Sequence, residues 1–441
     1  MSRSLKSIRY LTVLSLIRIE KGGYSNLVVD EVIKTNSLSS PETASLTHLV
    51  YLILERQITL DYIISRYLKM TVSSLDIEVL IILRVGLGEI LFAKSVPTYA
   101  AVNESVELTN QFKKTSAAGL VNAVLRKAAT FNLDSLLEIP DEIMRLSLIY
   151  SINIPLVKML LSQYGEGCKE ILSGMFTKRR IALRVNSLKT SVEYIINTLK
   201  QHEVTVEKSL IPWCVFANKY SSILPKLSQQ GLIRIQSYAS QAAIYALNPH
   251  QASLVLDLCA APGGKTLTAA QMMQNEGTVY AFDRHENRLK LIETAAKTEG
   301  VLTIKSLVSD STEFISEYEN SADFVIADVP CSGYGEIHSK PELRMKEPPS
   351  DDTLYKTQCL ILKNGCRYLK PKGRLLYSTC TINIKENEDI LLRFLNENRN
   401  YCLDTDIELN EFINNNGYMK KLPSKQDGEG FFFAVIERRN V

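Results

Sequence analysis

From Ser253 onward the chain repeats one pattern, a short apolar run that ends in a carboxylate and is followed by a turn or a helical stretch. SLVLDLCA carries Asp257, TVYAFDR Asp283, IKSLVSD Asp310 and ADFVIADVP Asp328. TLTAAQMM and ENRLKLIETAAKT lie between runs with the spacing of helices, RLLYSTCTI is a fifth run and FFFAVIERR a late one. Strands alternating with helices restrict the fold to a doubly wound, mostly parallel α/β sheet. Ligands of such sheets bind outside the carboxyl ends of the strands. A single Asp there is a strand-end cap or a turn former. Four of them, with a Gly-Gly turn after the first, call for a ligand.

Before Ser253 the pattern differs. Residues 1 to about 130 read as helix after helix, with apolar residues at three and four spacings in SLTHLVYLILER and DIEVLIILRVGLGEILFA. SAAGLVNAVLRKAA is a further helix in which Ala117, Ala118, Gly119 and Ala123 allow close helix contact. Leu11 to Ile17 is read as part of an amphipathic helix rather than a signal peptide, because Thr12 and Ser15 break the run and no cleavage site follows. FNLDSLLEIPDEIMR is a connector, and a short helical stretch follows it around Ser151 to Met175. RIALRVNSL, SVEYIINTLKQH and TVEKSL then suggest a small α+β unit. The expected domains are an all-helical bundle at 1–135, a connector with an α+β subdomain at 136–245, and a Rossmann-like α/β domain at 246–441. Lys and Arg number 28 against 20 Asp and Glu over residues 1–245, a net +8, and 23 against 28 over 246–441, a net −5. A basic front joined to an acidic back suits a polyanion-binding module carried by a catalytic domain.

Eight cysteines without a C-x-x-C pair argue against a disulfide framework or a structural zinc site, and no metal is expected. No run reaches the ~18 uncharged apolar residues of a membrane span. The nearest, Val79 to Val96, contains Arg84, Glu89 and Lys94. A cytoplasmic, monomeric protein without membrane attachment is the expectation.

LDLCAAPGGKT (Leu256 to Thr266) is a strand, a Gly-rich turn and a helix start. A P-loop would need glycine where Cys259 stands, and the dinucleotide fingerprint G-x-G-x-x-G is absent. The remaining reading is a methyltransferase turn, whose small residues let the backbone approach a methionine carboxylate and sulfonium. Asp283 is placed for both ribose hydroxyls and Asp310 for the adenine amino group.

DVPCSGYG follows the fourth run and YSTCTINIKENED the fifth. If those strands are neighbours, Cys331 and Cys380 both reach the cofactor cleft. Cys168, Cys214, Cys359, Cys366 and Cys402 are read as small buried hydrophobes, and Cys259 as packing against the cofactor. Two strand-end thiols beside a methyl donor fit one chemistry. C5 of cytosine is a poor nucleophile, and a thiolate adding to C6 makes it enamine-like. A thiol of pKa about 8.5 is mostly protonated at neutral pH, so the site must supply a base or depress that value. Asp328 is placed to hydrogen-bond or protonate N3, and Pro330 stiffens its turn.

On these residues the sequence closely resembles the Sun/Fmu-type ribosomal RNA cytosine-5 methyltransferases, which act on small-subunit (16S) rRNA. LDLCAAPGGKT is similar to the family's cofactor motif, DVPCSGYG to its Pro-Cys motif, and STCTINIKENED to its Thr-Cys motif with the following Glu-Asn-Glu. The resemblance implies S-adenosylmethionine contacts from Cys259, Ala260, Ala261, Pro262, Gly263, Gly264 and Lys265, and from Asp283, Asp310 and Asp328. It implies Cys380 as nucleophile and Cys331 as the thiol that assists release, whereas DNA cytosine methyltransferases attack with the Pro-Cys thiol. VPTYAAVNESVELTNQF and GLVNAVLRKAA resemble a NusB-type fold, LRVNSL the family's small RNA-contacting subdomain, and GEGFFFAVIERR its terminal antiparallel strand. Two stretches depart from the family: IQSYASQ has Ser237 where relatives often carry an acidic residue, and EIHSKPELR has His338 and Ser339 before Lys340 where they often have a basic pair. Methylation of tRNA or of large-subunit rRNA, and a non-catalytic RNA-binding protein, are the alternatives.

Overall fold

The computed structural model describes residues 7–93, 96–178, 180–404 and 416–440; Lys94 of the apolar run lies outside them. The chain divides into two compact units. One holds the described residues up to Phe176 together with Ile337–Pro348, and the other holds the remainder.

The first unit is helical throughout: α1 (Ile8–Glu20), α2 (Ser25–Asn36), α3 (Ser40–Ser65), α4 (Ile77–Gly88), α5 (Thr98–Gln111), α6 (Ala118–Ala128), α7 (Glu142–Tyr150), α8 (Ile154–Tyr164) and α9 (Cys168–Gly174). Local chemistry sets several starts. Ser39 and Glu42 form a capping box on α3, and the Asp141 and Asn153 side chains accept from the backbone N–H groups of Met144 and Leu156. The connector read at 131–145 is a 3-10 turn, Leu133–Glu138, followed by the first residues of α7.

Two expectations are corrected here. The helix over Leu11–Ile17 is not amphipathic: Thr12 and Ser15 are buried beside Leu11, Val13 and Leu16. Their hydroxyls donate to the carbonyls of Ile8 and Leu11, so they enter the core without unmet hydrogen bonds. Gly119 and Ala123 are exposed, and a Cβ at Gly119 would meet nothing within 4 Å. The close helix approach occurs at Gly86 of α4, where a Cβ would come within 2.3 Å of Ser105 Oγ and 2.8 Å of Leu125 Cδ1.

The segment Ile337–Pro348 belongs to this unit although it follows the Pro-Cys motif. Arg344 is fully buried and donates to the carbonyls of Tyr150 and Met175, both at 2.8 Å, with the Phe176 ring 4.0 Å from its guanidinium. Ser25 Oγ donates to Glu342 at 2.9 Å. In reverse, Asn153 Nδ2 donates to the Arg344 and Lys346 carbonyls.

The second unit opens with β1 (Ile181–Val185), α10 (Val192–Gln201), β2 (Val206–Lys208), β3 (Cys214–Ala217), α11 (Ile223–Gln229), β4 (Ile233–Ile235) and α12 (Tyr238–Leu247). The strands form an antiparallel sheet in the order β2-β3-β1-β4. Next come β5 (Leu254–Asp257), α13 (Gly264–Met272), β6 (Thr278–Asp283), α14 (Glu286–Glu299), β7 (Ile304–Val308), β8 (Ala322–Asp328), α15 (Thr353–Tyr368), β9 (Leu369–Thr379), α16 (Glu388–Glu397), β10 (Tyr401–Leu403), β11 (Tyr418–Lys421) and β12 (Phe431–Arg438). Among the described residues they make one sheet, β10-β12-β9-β8-β5-β6-β7, with β11 on β12. Its central strands β9, β8, β5, β6 and β7 are parallel, and β12 runs antiparallel to β9. The doubly wound sheet is thus as the sequence pattern implied, and its late antiparallel strand as the family resemblance implied.

Ala182 and Phe216 of the small sheet, with Ile211 from the turn between β2 and β3, share a core with Ala242 of α12, Val255 of β5 and Val279 of β6. Arg184, wholly buried, pairs with Glu299 of α14 and donates to Thr268 of α13 at 2.9 Å. Burial pushes this guanidinium down to about 10 against the pull of Glu299. Arg234 of β4 takes the other Glu299 oxygen at 2.9 Å. A buried charge is stable only when paired and hydrogen-bonded, so this cluster fixes α13 and α14, which carry the cofactor turn and the helix after Asp283.

Candidate active site

The chain turns sharply after Asp257. Gly263 has φ +95°, a conformation that favours glycine, and a Cβ there would press on Ile292 at 3.2 Å, just before α13 begins. The Ala261–Pro262 peptide is cis. The turn is tied to its neighbours by Ala260 N–H on the Phe282 carbonyl at 2.9 Å and by Arg288 on the Ala261 carbonyl at 2.7 Å.

Four carboxylates surround this turn. Asp257 is buried and accepts from Thr266 Oγ1 at 2.7 Å; burial pushes its carboxyl up to about 7 against that bond, with Asp328 adding to the rise. Its Oδ1 is a buried acceptor without a hydrogen-bond partner among the described residues. Asp283, at the end of β6, accepts from the His285 N–H at 3.0 Å and faces Arg288 at 3.2 Å. Asp310 lies just past the end of β7. Burial raises its carboxyl, but Arg284 at 2.5 Å and Thr312 outweigh it and hold the group down at about 2. Asp328 ends β8 between Lys265 Nζ at 2.8 Å and Ser378 Oγ at 2.7 Å. Lys265 also stands 5.2 Å from the Phe431 ring.

The donor set fits S-adenosylmethionine. An unpartnered buried carboxylate oxygen suits a cationic methionyl end, and a neighbouring cation would hold Asp257 ionised. Arg284 and Arg288 are half exposed, so each guanidinium can turn to solvent when a ligand's hydroxyl or amino groups take its carboxylate.

The two strand-end thiols meet. Cys331 Sγ and Cys380 Sγ lie 3.3 Å apart, because β8 and β9 are parallel neighbours with Asp328 opposite Ser378. The Cys380 thiol is pushed well above the ordinary range by its hydrogen bond with Cys331, by burial, and by Glu336 and Asp328. Burial likewise pushes Cys259 up, together with Asp257, Asp328 and Asp283, and so keeps it a neutral packing group. Cys168, Cys214 and Cys366 are buried as expected, whereas Cys359 and Cys402 are only partly so.

The cofactor and thiol residues singled out from the sequence, Cys259 to Lys265, Asp283, Asp310, Asp328, Cys331 and Cys380, lie at or just past the carboxyl ends of β5, β6, β7, β8 and β9. Sequence reasoning missed Ser378 as the second partner of Asp328, and Arg284 and Arg288 as guards of Asp310 and Asp283. It also passed over Glu386, although that residue stands in the quoted Glu-Asn-Glu stretch. Ser237 caps α12, accepting from Ser240 N at 3.2 Å, which gives that departure a structural role.

This sheet, with its cofactor turn and paired thiols, defines a methyltransferase. The model of 16S rRNA methyltransferase RsmB/F matches residues 244–437, that of the NusB family residues 6–130, and that of the RsmF/B-like ferredoxin-like domain residues 156–223. The chain is 31% identical to the probable ribosomal RNA small subunit methyltransferase B of Bacillus subtilis, over 98% of this chain and 99% of that one. It is 30% identical to ribosomal RNA small subunit methyltransferase F of Escherichia coli, over 59% and 57%. A methyltransferase homologue from Pyrococcus horikoshii superposes with a TM-score of 0.59, at 28% identity, over 68% of this chain and all of that one. The protein belongs to the RsmB/F family of methyltransferases, with a NusB-like helical domain and a ferredoxin-like subdomain ahead of the catalytic sheet.

Proposed function

We propose that this protein methylates C5 of a cytosine in small-subunit (16S) rRNA, using S-adenosylmethionine, with Cys380 as the attacking thiol and Cys331 as its partner in release. The observation that carries this reading is the pair of sulfurs 3.3 Å apart beside the Lys265–Asp328 ion pair. S-adenosylmethionine supplies an electrophilic methyl group; Asp283 would hold the ribose hydroxyls, Asp310 the adenine amino group, and the turn from Cys259 to Lys265 the methionyl end.

Cys380 Sγ, once deprotonated, adds to C6, and the electron pair moves into the ring toward C5 and N3. Asp328 would act at N3 in its protonated form, giving N3 its proton as that charge builds, with the Lys265 ammonium 2.8 Å away to stabilise the carboxylate left behind. After methylation C5 still carries its hydrogen. Removing that proton sends the electron pair into the C5–C6 bond and expels Cys380 sulfur. Cys331, in contact with that sulfur, is placed to take the proton or to reprotonate the departing thiolate. Attack perpendicular to the ring needs an unstacked base, so the target cytosine lies in a loop or leaves its stack.

The net +8 of residues 1–245 supports the helical and ferredoxin-like regions as the source of RNA affinity. Among the described residues no single helix is long and apolar enough to cross a membrane. A monomer acting in the cytoplasm is part of the reading. Bisulfite sequencing of cellular RNA with and without the gene tests it. Loss of one protected cytosine in small-subunit rRNA is expected, and loss confined to tRNA or large-subunit rRNA would overturn the substrate assignment.

A further inference from the structure

Glu386 is buried, 3% exposed, in the turn between β9 and α16. Its carboxylate has no cation within ion-pair distance among the described residues, and neutral donors surround it. Oε2 accepts from Ser332 N–H and Gln358 Nε2, both at 2.9 Å. Oε1 accepts from Ser332 Oγ at 2.6 Å and Asn383 Nδ2 at 2.9 Å. Burying a carboxylate without a counter-ion is costly even when it is hydrogen-bonded. Four donors converge on this one buried side chain, and the turns that supply them locate its task.

What the carboxylate joins is informative. Ser332 follows Cys331 directly, Thr381 follows Cys380 directly, and their hydroxyls lie 2.6 Å apart. Gln358 also donates to the carbonyl of Pro330, the residue before Cys331, at 2.9 Å. The backbone continues the link: Gly335 N–H donates to the Cys380 carbonyl at 3.0 Å. A Cβ at Gly335 would fall 2.8 Å from that carbonyl and 2.0 Å from the carbonyl of Gly430, so only glycine fits there. The two thiol-bearing turns leave different strands, and Glu386 grips the first of them from the second with three hydrogen bonds, two from Ser332 and one through Gln358 to Pro330.

We infer that Glu386 is a positioning residue, which holds the Cys331 turn against the Cys380 turn and so sets the spacing of the two reacting sulfurs. Both of its carboxylate oxygens are taken up by the loops, so its action is through the two thiols. The inference rests on the reading of the two thiols given above. Glu386→Gln keeps the size but turns one acceptor oxygen into a donor facing donors, so the Cys331 turn loses part of its grip.

The test combines turnover with a chemical ruler. Diamide takes the two hydrogens from a close thiol pair and leaves a disulfide, so its rate at Cys331 and Cys380, read by peptide mass spectrometry, reports their spacing without any turnover. Glu386→Gln should slow this cross-link and lower kcat ~10- to 100-fold, the range expected when reacting groups are displaced by a fraction of an ångström to an ångström. KM for S-adenosylmethionine should stay close to that of the native protein, and Glu386→Asp should recover part of both losses. Ser332→Ala, which removes one donor and leaves the carboxylate, should show the same pattern more weakly, and it serves if Glu386→Gln fails to fold. Native rates of cross-linking and turnover in a folded variant would overturn the inference. Cys380→Ala separates the two levels. If it still methylates, the thiol reading falls; if it is inactive while Glu386→Gln is normal, only the role of Glu386 falls.

Discussion

The sulfurs of Cys331 and Cys380 lie 3.3 Å apart, beyond the ~2.05 Å of a disulfide and within reach of a thiol hydrogen bond. That bond favours the protonated form of Cys380 and is the leading cause of its raised pKa, ahead of burial. Removing the partner therefore lowers the pKa and brings the thiolate in at lower pH. Alkylation of Cys380 by iodoacetamide, followed against pH by mass spectrometry, should shift to lower pH in Cys331→Ala. A profile unmoved, or moved upward, would show that Cys331 does not hold the proton on Cys380.

The same two substitutions should fail differently in catalysis. Cys380→Ala lacks the nucleophile and should form neither adduct nor product. Cys331→Ala can still attack and methylate, and should stall as a covalent protein–RNA species. A retarded band on a denaturing gel with labelled RNA is expected for Cys331→Ala and not for Cys380→Ala. The reverse pattern would make Cys331 the nucleophile.

Asp283→Ala should weaken binding of S-adenosylmethionine at least about tenfold, since two hydroxyl hydrogen bonds worth roughly 0.5–1.5 kcal/mol each are lost. In the free protein the carboxylate is held by the His285 N–H and Arg288, so it is already oriented. Unchanged affinity by calorimetry would remove Asp283 from the cofactor site.

How far the site could be read in advance follows from what each feature depends on. The order of apolar runs and helices allows the fourth and fifth strands to be neighbours, which brings Cys331 and Cys380 to one cleft, whereas the Ser378 bond to Asp328 depends on strand register, which the pattern does not carry. Motif spacing located the turn at Gly263. Glu386 escaped because a lone Glu in a polar stretch looks solvated, and only the fold shows that four donors close over it. The three- and four-residue strands β2, β3 and β4 are too short for alternation to register fully. Gly119 misled because small residues mark close helix contact only on a buried face, and its face is open. Cutting the chain near Ala246 is also less natural than composition suggests, because Ala182 and Phe216 share a core with Val255.

Arg344 was seen only as part of a departing stretch after the Pro-Cys motif, yet it is among the most completely buried side chains in its unit. Burial pushes its guanidinium down to about 9, which marks the cost of placing the charge there. Its two carbonyl partners explain the placement. Tyr150 ends α7 and Met175 follows α9, so both carbonyls sit at helix C-termini, where they lack intrahelical donors and carry partial negative charge. Arg344→Met would leave both without their donor in a buried setting, at roughly 1–3 kcal/mol for each unsatisfied group. A total loss of about 2–6 kcal/mol in the unfolding free energy of the helical unit is expected. Arg344→Lys should recover little, since a single ammonium cannot reproduce the planar fork that serves two carbonyls beneath the Phe176 ring. Urea unfolding followed by far-ultraviolet circular dichroism checks this: native midpoints for both variants would show that the segment Ile337–Pro348 contributes nothing to the helical unit.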